Sequence, residues 1–354
     1  MRTPRVLLLA LVLTLSARSA RAQEPAMRTT GFHGFLFGDV VYVTREQAAN
    51  DGFLIGQLVG HGNARMSERV SVFGEVSATA QASGYALELE RAIVRYDFAD
   101  QFKLSVGRYH TPASYWNTAY HHGLWLQTSV ARPEIIKVGG RFIPVHFVGA
   151  MAEGTLNAGK TSLSYEAGVG NGRGTVVTRA GDAGDVNRAR ASLFAARLRP
   201  FDNGFALGGS VYFDRVEVDP DSYDERIASG HVVWDRGAPE LIAEFARVDH
   251  DPRQPGQKST SDGWYAHAGW RLGGSLYQFK PYVRVEHVDV SMTDPVFAQA
   301  LTDYRAGIAG LRFDFDALAT IKGEYRRERF GANADYLNGF YVQVAFAIAT
   351  AGVM

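Results

Sequence analysis

Cysteine is absent from this 354-residue chain, and lysine occurs only at Lys103, Lys137, Lys160, Lys258, Lys280 and Lys322. Without thiols, no disulfide framework, cysteine nucleophile or thiolate metal site is available. With no lysine cluster in any connection, the basic footprint of a nucleic-acid binder is missing too. Past Ala22 there is no run of eighteen apolar residues, which argues against a helical membrane bundle. Helical periodicity is nearly absent as well. Stability must then come from backbone pairing and an apolar surface.

The N-terminus reads as an export signal. Arg2 and Arg5 precede VLLLALVLTL, and Ala20-Arg21-Ala22 fits a small-x-small cleavage rule. Residues 1–22 are predicted to be removed, leaving one domain over 23–354. The chain has 37 basic and 37 acidic residues; loss of Arg2, Arg5, Arg18 and Arg21 leaves 33 against 37. Nothing in that balance calls for nucleic acid.

What the chain does have is alternation. Segments of about 9 to 14 residues are apolar on one parity and polar on the other, the length a tilted membrane strand needs. Lys280, Tyr282, Arg284 and Glu286 share one face, with Phe279, Val283 and Val285 on the other. Lys322, Glu324, Arg326 and Glu328 oppose Ile321, Gly323 and Tyr325; Tyr341, Gln343 and Ala345 oppose Phe340, Val342, Val344, Phe346 and Ile348. Tight turns at 67–69, 99–101, 157–159, 202–204, 236–237, 273–275 and 316–317 alternate with connections at 46–52, 83–84, after Tyr109, 171–187, 217–225, 250–262, 291–303 and 331–335. That count predicts about sixteen strands in one closed antiparallel transmembrane β-barrel, all-β, with the first strand paired to the last. Phe98, Phe102, Phe205, Trp234, Trp270 and Phe315 fall near the tight turns, and Tyr42, Phe213, Trp264 and Phe340 near the longer loops, as two interfacial belts would. Alternation breaks within 87–98, which places a bulge near Glu90-Arg91 or marks a slip of register.

The stretch 102–144 is the most unusual. A strand-like FKLSVGRY runs into about thirty residues without a period, rich in Tyr, Trp and His. Connections that long are functional or disordered, and this composition argues against disorder. The stretch is predicted to fold into the lumen as the long third extracellular loop and narrow a pore. Tyr109, His110, Tyr115, Trp116, Tyr120, His121, His122 and Trp125 would line the constriction or pin the loop to the wall; Arg132 and Arg141 would bias it toward anions. The inward parity carries Arg91, Arg95, Lys103, Arg197, Arg199, Lys280, Arg284, Arg312, Lys322 and Arg326 against Glu75, Glu88, Glu90, Glu166, Asp214, Glu244, Glu286, Asp314, Glu324 and Glu328. Opposed charges of this kind set ion preference or simply pair across strands.

Catalysis and cofactors have little support. Ser229 with His231, and Asp249 with His250, are chance spacings without a nucleophile motif. His121-His122 is a weak metal pair, being adjacent and lacking an acidic neighbour in sequence. The chain is read as a non-enzyme with no cofactor and no metal.

KLSVGRYHTP, ELERAIVRYDF, SLSYEAGVGNGRG, LYQFKPYVRVEHVDV and GLRFDFDALATIKGEYRR together resemble the phosphate-selective porin O and P family. The resemblance implies a sixteen-stranded, trimeric outer-membrane channel whose third loop enters the pore. Phosphate-selective members are lysine-rich around the pore, and this chain departs from them there. Residues and resemblance together predict a passive outer-membrane diffusion channel for small hydrophilic solutes or ions, with anion preference. Its partners would be the lipid bilayer, lipopolysaccharide and two further copies of itself. The alternatives are a barrel that binds a partner, or a barrel hydrolase.

Overall fold

Period-two alternation produces strands wherever it is sustained. The computed structural model describes residues 32–47, 51–81, 83–137, 142–173, 177, 181–298 and 300–349. Sixteen strands occur in order: β1 (Phe32–Arg45), β2 (Gly52–Arg65), β3 (Val70–Gln81), β4 (Gly84–Ala99), β5 (Phe102–His110), β6 (His146–Ala158), β7 (Thr161–Asn171) and β8 (Ala191–Arg199), then β9 (Phe205–Val218), β10 (Asp221–Trp234), β11 (Glu240–Pro252), β12 (Ser259–Gly269), β13 (Phe279–Asp289), β14 (Tyr304–Asp316), β15 (Ala319–Phe330) and β16 (Leu337–Ala349). Each strand pairs antiparallel with its sequence neighbours. β1 pairs with β16, from Phe35 opposite Ala349 to Arg45 opposite Gly339, and the sheet closes. Among the described residues no strand lacks a partner on either side, the condition hydrocarbon imposes on a sheet. No helix among the described residues is long and apolar enough to cross a membrane. The export signal predicted for 1–22 lies outside the described residues.

Burial is inverted relative to a water-soluble protein. On β13, Lys280, Tyr282, Arg284 and Glu286 are buried while Val283 and Val285 are exposed; on β15, Lys322, Glu324, Arg326 and Glu328 are buried while Tyr325 is exposed. The greasy parity is therefore the outer surface. A basic residue on such a surface at the bilayer midplane costs about 2–4 kcal/mol, which keeps the band apolar. The belts are in place: Phe98, Phe102, Trp270 and Phe315 are exposed at the tight-turn end, and Tyr42, Phe213, Trp264 and Phe340 at the other. Phe205 and Trp234, which face each other across β9 and β10 at 6.3 Å, are only half-exposed.

Two connections differ from the sequence reading. The long loop predicted at 217–225 is a two-residue link, because alternation continues through Val218 and resumes at Asp221. The tight turn predicted at 273–275 is a nine-residue segment, 270–278, containing the 3-10 turn Gly274–Leu276. The bulge is where the alternation breaks. Glu75 pairs with Arg91 and Val76 with Leu89, so Glu90 is the extra residue and both Glu90 and Arg91 turn inward.

β4 and β5 come close at Gly107, whose φ is +151°. A Cβ there would lie 1.9 Å from the Ala92 carbonyl oxygen. Gly107→Ala is expected to cost about 1–3 kcal/mol through backbone strain, seen as a lower urea midpoint of unfolding in detergent. An unchanged midpoint would contradict the close approach.

Candidate functional site

The chain between β5 and β6 has no ladder to satisfy its backbone, and side chains of the inward parity do so instead. Ser114 caps the short helix α1 (Tyr115–Tyr120), accepting from Asn117 N. The Glu244 carboxylate of β11 accepts from Tyr115 N at 2.7 Å and Trp116 N at 2.9 Å, an anion at a helix start. Asn117 Nδ2 donates to the carbonyls of Thr111 (3.0 Å) and Val145 (2.8 Å), tying the two ends of the loop together. Further on, Arg312 Nη1 donates to the carbonyls of Trp125, Leu126 and Gln127 at 2.7, 3.1 and 2.9 Å. Arg284 donates to Ser129 Oγ and the Ala131 carbonyl, and Lys322 to the carbonyls of Leu124 and Ser129. Glu324 accepts from Val130 N at 3.0 Å and Glu286 from Glu134 N at 2.6 Å.

This corrects one reading of the charged parity. Arg284, Glu286, Arg312, Lys322 and Glu324 do not present charge to water; they are buried clamps on loop backbone. Lys280 is buried against Glu240, and Arg326 between Glu324 and Glu328. Arg91, Arg95, Lys103 and Arg197, on β4, β5 and β8, are half-exposed, and so is Arg199.

The aromatic residues separate into three groups. Trp116 is buried edge-on to Tyr265 at 5.8 Å and close to Tyr120 at 4.9 Å, with the Arg284 guanidinium 5.7 Å from its ring centre. Tyr115 lies 5.3 Å from the His231 ring, and burial pushes its hydroxyl up to about 12. Trp125 packs on Phe37, Val59 and Ala347 of β1, β2 and β16. Tyr109 is buried near Phe147, its hydroxyl donating to Ser105 Oγ. These rings hold the loop to the wall. His110, His121 and His122 form the third group and are buried as well.

The histidines converge on the bulge. His146 Nε2 lies 2.9 Å, His122 Nε2 3.2 Å and His121 Nε2 3.9 Å from Glu90 Oε2, and the rings of His110 and His121 stack at 3.7 Å. Burial, then the neighbouring His110 and Arg132, hold the His121 imidazole well below its usual range. Arg132 donates to the His121 carbonyl, and burial lowers its guanidinium to about 10. Arg141 lies outside the described residues.

Open volume lies beside α1. A cavity of about 420 Å³ is lined by Lys103, Thr118, Glu153, Glu166, Arg197 and His231. Another, of about 310 Å³, shares Thr118, Glu153 and Glu166 and adds Arg91, Arg95 and His110. Sequence reasoning missed Thr118, Glu153, His146, Asn117 and Gln57. Glu153 and Gln57 carried a signal, being on the inward parities of β6 and β2. The hydrolase pairs find no arrangement. Ser229 Oγ donates to the Ala113 carbonyl at 2.8 Å. His250 lies buried between Asp294 (2.7 Å) and Glu225 (3.0 Å), while Asp249 pairs with Lys258 instead.

No protein-family model matches this sequence, and no curated protein matches it. Solved structures do. An anion-selective porin from Comamonas acidovorans superposes with a TM-score of 0.63 at 12% identity, over 90% of this chain and 98% of that one. In-vitro folded OmpT, an outer membrane protein of Vibrio cholerae in its trimer form, gives 0.59 at 12% over 90% and 98%. The outer membrane channel DcaP of Acinetobacter baumannii gives 0.55 at 10% over 90% and 96%. The fold is that of the outer-membrane porins. At these identities the likeness concerns the fold.

Glu244→Gln keeps shape but turns an amide toward donors. It is expected to cost about 2–3 kcal/mol, the worth of charge-assisted bonds lost, and to speed protease cleavage within 111–137. Cleavage at the wild-type rate would contradict the clamp.

Proposed function

We propose that this protein is a passive diffusion channel of the bacterial outer membrane, with residues 111–137 folded inward as its constriction. One observation carries the reading. The loop contacts β2, β4, β11, β13, β14, β15 and β16 through inward-parity side chains, which only a segment enclosed by the sheet can reach. Clamped to the β11–β16 side, it leaves the charged space along β4–β8 for water, and the two cavities that share Thr118, Glu153 and Glu166 are parts of one passage.

The passage favours anions weakly. Arg91 is paired with Glu75, and Arg95 with Asp97 and Glu153. Lys103 and Arg197 make no ion pair among the described residues, so with Glu153 tied to Arg95 they are the two cations left to meet solutes, opposed by Glu166. A phosphate-specific site has less support, because the clamped arginines and lysine are spent on loop carbonyls and carboxylates. The anion-selective Comamonas porin is a likeness in the same direction.

A homotrimer is supported by the trimer form recorded for the V. cholerae protein. Contact with lipopolysaccharide is supported by Arg305, Arg327 and Arg329, which lie together on the outer parity at the loop end of β14 and β15. Arg305 stands directly opposite Arg329, and a like-charged pair calls for an external anion.

Reconstituted in planar bilayers, the protein is expected to conduct stepwise. Its reversal potential in a salt gradient should carry the sign of anion preference, and Lys103→Glu with Arg197→Glu should move it to the cation side. A correctly folded but silent barrel would overturn the channel reading and favour a binding role. Conduction with an unmoved reversal potential would overturn the assignment of selectivity alone.

A further inference from the structure

The convergence of imidazoles on Glu90 has no part in the channel argument. One ligand atom from each of Glu90, His110, His121 and His146 lies within 4.8 Å of the others, and all four residues are buried or nearly so. A set of three imidazoles and one carboxylate is the donor chemistry of first-row divalent transition metals. We propose that these four residues bind one such ion, of the Zn²⁺ class, and that it fastens the base of the loop to β4.

Three features point to a ligand rather than to an ion-pair cluster. The first is orphaned atoms. Glu90 Oε2 and the Nε2 atoms of His110, His122 and His146 are buried, and none makes an aligned hydrogen bond among the described residues, although His146 and Glu90 are only 2.9 Å apart. Buried groups left this way cost about 1–3 kcal/mol each, and a shared cation would satisfy several at once.

The second is tautomer control. Asn117 spends its amide nitrogen on two backbone carbonyls, so its Oδ1 must accept from His121 Nδ1, 2.6 Å away. Gln57 spends its nitrogen on Thr79 Oγ1, so its Oε1 accepts from His122 Nδ1 at 3.0 Å. Both rings therefore carry their proton on Nδ1 and turn the Nε2 lone pair toward Glu90. Amide oxygens that fix the second ring nitrogen are the outer support found around metal-bound histidines.

The third is chain placement. His110 ends β5, His146 begins β6 and the two are register partners; His121 follows α1; Glu90 is the bulged residue. The donors sit on three neighbouring strands and on the segment after α1, which joins them at the loop base. The nearby set of Glu75, His110 and His122 is the weaker choice, because Glu75 is committed to Arg91. With nitrogen bonds of about 2.0–2.1 Å, a tetrahedral ion holds its donors about 3.4 Å apart, so the site closes by small ring movements.

The test uses the untagged mature chain, folded in detergent and stripped with EDTA. Titration calorimetry with Zn²⁺ alone should show one tight equivalent. Co²⁺ alone should give visible bands of a four- or five-coordinate nitrogen–oxygen site, bleached by Zn²⁺. His121→Gln and His146→Gln should each lose at least tenfold in affinity while keeping the heat-dependent gel shift of a folded barrel, and His231→Gln should bind as wild type does. Absence of Zn²⁺ binding to the wild type would overturn the proposal without any variant. So would a Co²⁺ spectrum like that of the aqueous ion, or full binding by the His121→Gln/His146→Gln double variant. None of these readouts depends on conduction, so failure here leaves the channel reading standing, and the reverse holds too.

Discussion

A backbone without a ladder cannot be enclosed unless something else satisfies its carbonyls and amides. That constraint explains more of this molecule than the barrel does. The inward faces of β11, β13, β14 and β15 carry charged residues whose groups end on the loop: Glu244 on two amides of α1, Glu324 and Glu286 on one amide each, Arg312 on three carbonyls, Lys322 on two. Loop and wall are one hydrogen-bonded unit. Buried charge, costly by itself, is compensated because each ion meets several dipoles or an opposite ion.

The clamp is one-sided, and this asymmetry carries the functional account. Where side chains of β11–β16 are occupied with the loop, β4–β8 keep Arg95, Lys103 and Arg197 near open volume. A single inserted residue adds the second asymmetry. Glu90 lets two consecutive residues of β4 face inward, so one can pair as Arg91 does with Glu75 while the other collects the histidines. Bulges often re-aim side chains beside functional sites, and here the effect is to gather chemistry from four segments around one oxygen.

Much of the fold was legible because period-two alternation is a local signal. Strand faces on 278–286, 320–328 and 340–348 followed from residue order alone, and the break at Glu90 was visible as a change of parity. The loop misplaced at 217–225 has the same cause. Asp219-Pro220 sits amid polar residues that look like a loop, yet a strand standing clear of the lipid is free to be polar. The site was far less legible. Sequence offers no hint that Lys322 would reach Leu124 and Ser129, or that His121, His122, His146 and Glu90 would meet, since those contacts depend on how an irregular segment packs against the sheet. Aromatic density singles the segment out, but whether a ring faces solute or wall is decided by packing, and Trp116 and Trp125 face the wall.

The absence of native cysteine permits a clean trial of the one-sided passage. Thr118 is exposed on the cavity side of α1, whereas Gln127 is buried beneath Arg312. The measurement is single-channel conductance of Thr118→Cys and Gln127→Cys during addition of a cationic, membrane-impermeant thiol reagent. The account predicts a stepwise fall in conductance for Thr118→Cys and no response for Gln127→Cys. Equal responses from both, or an unaltered current through fully modified Thr118→Cys, would contradict it.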